Sequence, residues 1–197
     1  MKNSFLLTHF LAPFATASAF IALPSIPSQA LHASRPRSML HERKEASFGM
    51  GCFWEPSESL LKQKGVLATT VGYTGNSESV IPSYDSVCYG RDWVEAVRVV
   101  YDDSEVTYEE LLDHFFELQK PTPSRQYSSI VFTDSKTDEA ARAQKWLESC
   151  IKDKRRRKDG LPASVVKIEP LTKFYRAEGY HQEYWQKWRG RFFLISL

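Results

Sequence analysis

The run from Val94 to Tyr101 constrains this chain most. It is rich in β-branched residues and alternates, so Glu95, Val97, Val99 and Tyr101 share one face of an extended strand. Val94, Ala96, Arg98 and Val100 form the other face. Beyond it, Thr107 and Glu110 make a capping box. The box opens a helix from Tyr108 to Gln119 whose apolar stripe is Leu111, Leu112, Phe115 and Phe116. Before it, Val66 to Val71 is a second β-branched strand, ended by Gly72-Tyr73-Thr74-Gly75 and followed by a loop with Asn76 and Pro82. No helix is expected between these two strands, which excludes a regular alternation of strand and helix.

The remaining elements fit the same class. Ala46 to Met50 is a short strand ending in Gly49-Met50-Gly51. Pro56 suits a first helical turn, and Ser57 to Lys64 reads as a helix stopped by Gly65. Pro121 and Pro123 bound a loop, Gln126 to Phe132 reads as a strand, and Val165 to Ile168 as another. Thr137 to Lys152 reads as a helix with Ala143, Trp146, Leu147, Cys150 and Ile151 on its buried face. Phe174 to Trp188 is aromatic-rich and partly helical. The expected class is α+β: a ferredoxin-like two-layer sandwich with a central mixed or antiparallel sheet flanked by helices.

Charge separates the N-terminus from the rest. The chain carries 26 Lys+Arg against 24 Asp+Glu, a net charge of +2. Residues 1–40 hold Lys2, Arg35 and Arg37 and no acid; without those three, 23 basic residues face 24 acidic ones, a balance of −1. That balance gives no reason to expect a nucleic-acid partner. Lys2, the apolar stretch from Phe5 to about Ala22 and the small residues Ala17-Ser18-Ala19 have the layout of a secretory signal. Phe20 to Leu40, with Ser, Pro and Arg and no acid, suits a plastid transit peptide. The Ala17-Ser18-Ala19-Phe20 junction resembles the bipartite plastid presequence of algae with secondary plastids. The expectation is a presequence over 1–40 (signal about 1–19, transit about 20–40), a catalytic domain over 41–197 and a plastid stromal location, with secretion as the alternative. No stable membrane association is expected after processing, and a monomer is expected.

The strongest chemical feature is Gly51-Cys52-Phe53-Trp54, between a strand and a helix start. Free N–H groups there would stabilise a Cys52 thiolate and lower its pKa, with Phe53 and Trp54 as an apolar wall. The alternative is a small buried hydrophobe at a strand end. Glu95 shares its face with an apolar stripe, so burial would raise its pKa and make it a proton donor near neutrality. If that face meets solvent, Glu95 is an ordinary surface acid. Tyr73, beside two glycines, and Tyr127, opening a strand, could each present a phenol to a pocket or lie at the core edge. The five histidines are scattered, so no metal site is expected, and no glycine-rich loop has phosphate-binding spacing. The basic run Lys154 to Lys158 reads as a solvated helix end.

Taken in order, these motifs resemble the peptide methionine sulfoxide reductase A family. The likeness rests on Gly51-Cys52-Phe53-Trp54, the string Thr69 to Gly75, and Pro82-x-Tyr84 leading to Val87-Cys88. It continues through Glu95-Ala96-Val97-Arg98-Val99, Pro121-Thr122, Gln126-Tyr127-Ser128, and Ala177-Glu178 with Tyr180-His181-Gln182. The resemblance implies that Cys52 attacks the sulfoxide sulfur, Glu95 protonates the oxygen, and Tyr73 and Tyr127 hydrogen-bond it. Phe53 and Trp54 would hold the substrate methyl group. It implies reduction of methionine S-sulfoxide, in proteins and as the free amino acid, through a Cys52 sulfenic acid. No cofactor would be bound; an external thiol, thioredoxin or glutaredoxin, would act as reductant. Two rival readings are a non-catalytic binder of methionine-containing peptides and a thiol peroxidase.

The chain departs from the family in four places. Asp92-Trp93-Val94 stands where the family has Gly-His before the catalytic Glu. The family's Asp-bearing loop is cut to Thr122–Arg125, its Arg becomes Ser128, and the Gly-rich tail with recycling cysteines is missing. Of the remaining cysteines, Cys88 is expected in the core, and Cys150, on an apolar helix face, is the candidate to resolve the sulfenic acid, with direct reduction by an external thiol as the main expectation.

Overall fold

A computed structural model of the protein describes residues 43–76, 80–90 and 92–188. The expected presequence lies outside these residues. The strands are β1 (Arg43–Met50), β2 (Val66–Thr74), β3 (Val94–Asp102), β4 (Ser129–Thr133), β5 (Lys167–Pro170) and β6 (Tyr175–Arg176). The helices are α1 (Trp54–Leu61), α2 (Tyr84–Tyr89), α3 (Tyr108–Leu118) and α4 (Glu139–Lys152), and a further helical turn covers 184–188.

The six strands form one sheet in the order β5-β4-β1-β3-β2-β6. β1 pairs antiparallel with both β3 and β4, and β2 pairs antiparallel with β3. The β1-α1-β2 unit therefore has β3 slotted between its strands, and the β3-α3-β4 unit has β1 between its own. Two interlocked split units of this kind are the ferredoxin-like arrangement expected from the sequence. β5 extends it in parallel beside β4, which makes the sheet mixed, and β6 adds an antiparallel edge beside β2.

The main core lies on one face of the sheet, where Phe48, Val97, Val99 and Val131 pack with Leu111, Phe115, Trp146 and Leu147 of the helices. A smaller core on the opposite face joins Val94, Ala96, Ile130 and Phe132, with Leu171 and Phe174 laid over it. Both faces of β3 are thus buried at its start. Farther along, Arg98 covers the second face with its guanidinium 4.2 Å from the Phe174 ring centroid. Each large side chain buried here contributes about 1.5–3 kcal/mol relative to exposure.

Several boundaries differ from those expected. α1 begins at Trp54 rather than Ser57; Pro56 still falls within the first turn, where its missing N–H has no intrahelical acceptor. The expected loop before β3 contains α2, capped by a reciprocal Ser83–Ser86 box. Gln126 and Tyr127 belong to a 3₁₀ turn over Arg125–Tyr127 rather than to a strand. α4 begins at Glu139 because Thr137 and Glu139 bond the backbone of Asp134, which closes a turn there first. Ile151 is exposed on α4, whereas Ala143, Trp146, Leu147 and Cys150 are buried as expected. The basic run starts at the helix end, as expected: Lys154, at φ 53°, and Arg155 donate their N–H groups to the carbonyls of Ile151 and Cys150 and so close α4, but its arginines are paired rather than simply solvated. Arg155 then turns back to Asp113 and Glu117, and Arg157 pairs with Asp159.

Candidate active site

β1 delivers the chain to the site through Gly51. Its φ of +82° is a left-handed conformation that favours glycine, and a Cβ there would overlap the carbonyl of Lys120. That contact lets the segment after α3 lie against the end of β1, with Lys120 donating its N–H to Met50 O at 2.8 Å. Cys52 follows, exposed, one residue before the helix-capping Phe53.

Glu95 lies on the buried face of β3 and is 1% exposed. Its Oε2 accepts the Phe53 N–H at 3.1 Å and its Oε1 accepts Gln126 Nε2 at 2.8 Å. Burial pushes the carboxyl up to about 7, although both hydrogen bonds favour the ionised form and oppose that rise. The carboxyl can therefore hold or release a proton near neutrality. The Phe53 amide ties it to the peptide unit that also carries Cys52.

Cys52 departs from the expected low pKa. Burial of the thiol raises it above the ordinary value and is the largest influence. The Trp54 backbone N–H opposes this, as the helix start suggested, but the carboxylates of Glu95 and Glu55 add to the rise. The residue as a whole is exposed while its thiol is partly desolvated. The local anion-favouring geometry is present and outweighed.

Cys52, Trp54 and Tyr127 line one open cavity of about 330 Å³ with Lys120, Thr122 and Trp185. Phe53 does not line it. Its buried ring packs behind, against Tyr73 at 6.0 Å and His181 at 5.3 Å between centroids. Tyr73 pairs with Glu95 across β2 and β3, but its hydroxyl donates to Glu178 Oε2 at 2.8 Å. Burial and that bond hold its phenol protonated far above the usual range. The Tyr127 phenol is pushed up to about 12, first by burial and then by the charges of Glu95, Cys52 and Cys88.

Sequence reasoning assigned no part to Gln126, Glu178 or His181, although all three lie within the motifs. Gln126 is held by its turn, which Arg125 fastens through a bidentate pair with Glu169, both bonds 2.7 Å. Arg125 also reaches the Gly75 carbonyl at 3.4 Å. The shortened loop is thus tied to β5 and to the end of β2. His181 is buried, and its Nδ1 accepts the Trp54 indole N–H at 3.1 Å. Burial lowers its pKa, so the ring is neutral near pH 7. Trp54 is stacked on its other side by Tyr184, at 4.0 Å and 4°. Gln182 fastens this C-terminal segment to β2 by bonds of 3.1 Å and 2.9 Å with the Val71 N–H and carbonyl. Trp93, where the family has Gly-His, is buried edge-on against Tyr175. Cys88, expected in the core, is half-buried beside Gln126.

The family profile described as peptide methionine sulfoxide reductase matches residues 44–196. A peptide methionine sulfoxide reductase of Methanoculleus marisnigri is 40% identical over 157 residues, covering 75% of this chain and 92% of the relative. That of Methanothermobacter thermautotrophicus is 36% identical over 168 residues, covering 80% and 96%. Among solved structures, methionine sulfoxide reductase A of Corynebacterium diphtheriae is similar with a TM-score of 0.61 at 27% identity, covering 74% of each chain. Mxr1 from Saccharomyces cerevisiae in its reduced form is similar with a TM-score of 0.58 at 28% identity, covering 74% of this chain and 86% of its own.

Proposed function

The chain belongs to the peptide methionine sulfoxide reductase family and is an oxidoreductase; from that premise we propose that it reduces the S-epimer of methionine sulfoxide through a Cys52 sulfenic acid. The observation that carries this reading is the Glu95 carboxyl, buried, titrating near 7 and tied through the Phe53 amide to the backbone beside Cys52.

The sulfoxide enters the cavity with its methyl group against Trp54 and its oxygen toward Glu95. Cys52 thiolate attacks the substrate sulfur while protonated Glu95 gives its proton to the oxygen. These forms carry the same number of protons as Cys52 thiol with Glu95 carboxylate, so one proton moved between the two groups prepares the site. The oxygen leaves the substrate sulfur and ends on Cys52 as a sulfenic acid. The substrate sulfur gains two electrons and departs as methionine. Tyr127 supplies a protonated phenol at the cavity wall. Tyr73 donates to the sulfoxide oxygen only by leaving Glu178, so its ground-state part is to hold that carboxylate.

Methionine sulfoxide in proteins is the proposed main substrate, because the cavity is open and Cys52 is exposed; the free amino acid is reduced by the same steps. A thioredoxin- or glutaredoxin-type thiol restores the enzyme. Residues 1–40 act as a plastid presequence, which a fluorescent fusion in an alga with a secondary plastid tests by its location. The activity is tested with purified protein, dithiothreitol and each sulfoxide epimer in turn. The S-epimer is reduced, the R-epimer is not, and Cys52→Ser abolishes turnover. A folded wild-type protein inactive on both epimers refutes the proposal.

A further inference from the structure

The proposed reaction leaves an oxidised Cys52, and the described residues hold two other thiols. Cys150 is buried in α4 beside Arg155, whose Nη1 lies 3.7 Å from its sulfur. Cys88 is placed differently. It lies on α2 one helical turn after Tyr84 and is half-buried, next in sequence to the fully buried Val87. Gln126 Nε2, which donates to Glu95 Oε1 at 2.8 Å, also reaches the Cys88 sulfur at 3.6 Å. The other oxygen of Glu95 takes the amide of Phe53, next to Cys52. Cys88 and the Cys52 backbone thus flank one carboxylate, and the Tyr127 phenol feels the charge of both thiols.

The attachment of α2 allows movement. Val87 is its one buried residue. The Tyr84 amide is tied to Glu178 Oε1 at 2.9 Å, and the Cys88 thiol one turn on, together with burial, raises its phenol above the ordinary range. Tyr89, at the other end, is 88% exposed. A two-turn helix with so few buried contacts belongs to the part of a fold that opens at small free-energy cost.

We infer that Cys88 is the resolving thiol, attacking the Cys52 sulfenic acid to close a Cys52–Cys88 disulfide. This rests on the sulfenic acid of the proposed reaction. The Cys88 sulfur bonds the Cys52 sulfur, the S–O bond of Cys52 breaks, and the hydroxyl leaves as water with the proton of the Cys88 thiol. The sulfenic sulfur is reduced and the Cys88 sulfur oxidised by the same electron pair. A dithiol of the thioredoxin class then reduces the disulfide, returning both thiols and becoming a disulfide itself. Glu95 and Gln126 lie where that proton must pass, so the donor of the first step also serves the second.

The test is one equivalent of methionine S-sulfoxide added to reduced protein without reductant, in the presence of dimedone. Methionine release, intact mass and peptide mapping are then read. Wild type is expected to lose two hydrogen masses, yield a peptide pair joining Cys52 to Cys88, and take up no dimedone. Cys88→Ser is expected to carry a dimedone adduct on Cys52, and Cys150→Ser to behave as wild type. A lasting dimedone adduct on wild-type Cys52, a bond from Cys52 to Cys150, or a disulfide between two molecules overturns the inference. If Cys88→Ser does not fold, the wild-type map alone decides. One equivalent of hydrogen peroxide, which makes the same sulfenic acid, separates the two claims. A Cys52–Cys88 bond after peroxide without methionine release from sulfoxide rejects the reductase reading and keeps the resolving thiol. Methionine release without that bond does the reverse.

Discussion

Replacing Glu95 by glutamine removes the proposed proton donor and a buried ionisable group together, and the two losses are read separately. Turnover of the S-sulfoxide by Glu95→Gln is expected to fall by roughly 10²–10⁴, the usual contribution of a positioned acid. The Cys52 alkylation midpoint is expected to move down, because an ionised Glu95 raises it; iodoacetamide rates against pH measure this. Stability changes with a definite sign. The carboxyl rises from 4.5 to about 7 on folding, so its contribution is fully present below the unfolded value and lost as pH climbs through 7. The displacement corresponds to up to about 3 kcal/mol. Urea midpoints are expected to drop for wild type between pH 5 and pH 8, and to drop less for Glu95→Gln. The position of this acid was legible in the alternation of Val94 to Tyr101, once the face bearing Val97 and Val99 was known to be the inner one. The direction of the Cys52 pKa was not, because burial of the thiol, which raises it most, and the Glu95 carboxylate, which adds to the rise, both come from the tertiary packing around it.

At the scale of elements, the turn over Arg125–Tyr127 carries two site residues on one ion pair. Arg125 and Glu169 are about a quarter exposed, so screening is partial and the bidentate geometry still counts. Arg125→Ala and Glu169→Ala are expected to lower S-sulfoxide turnover by similar factors. Their double mutant should show a coupling of about 0.5–3 kcal/mol in urea unfolding. Additive losses would show that the pair does not hold the turn. Thr107→Ala removes the α3 cap, whose two reciprocal bonds are formed, and is expected to cost about 1 kcal/mol with little effect on turnover. That cap was visible in sequence because threonine and glutamate announce it. The Ser83–Ser86 cap of α2 was not, because serine at the third position gives a weaker signal. β6 has two residues and no pattern of its own; its pairing with Gly72 and Tyr73 makes it a strand. Gln126 and Tyr127 read as strand in the sequence because they lead into an apolar run, while the ion pair that holds their turn comes from Glu169 of β5.

Across the whole molecule, every described contact that builds the site comes from residues 50–188. A protein beginning at residue 41 is therefore expected to melt and to reduce S-sulfoxide like the full chain; a lower melting temperature would give the first forty residues a part in the fold. The order of motifs along the chain made the ferredoxin-like core readable, because capped helices and alternating strands are local. The closure of the site was less readable, since Trp54, near the start of the domain, is held by His181 and Tyr184 from its end. That span gives the enzyme a clock. A ribosome emits Cys52 first, the strands that bury Glu95 later, and the wall that fixes Trp54 only once His181 and Tyr184 have been made. A nascent chain therefore carries Cys52 before the cavity beside it is walled, so that thiol spends part of synthesis without its finished surroundings.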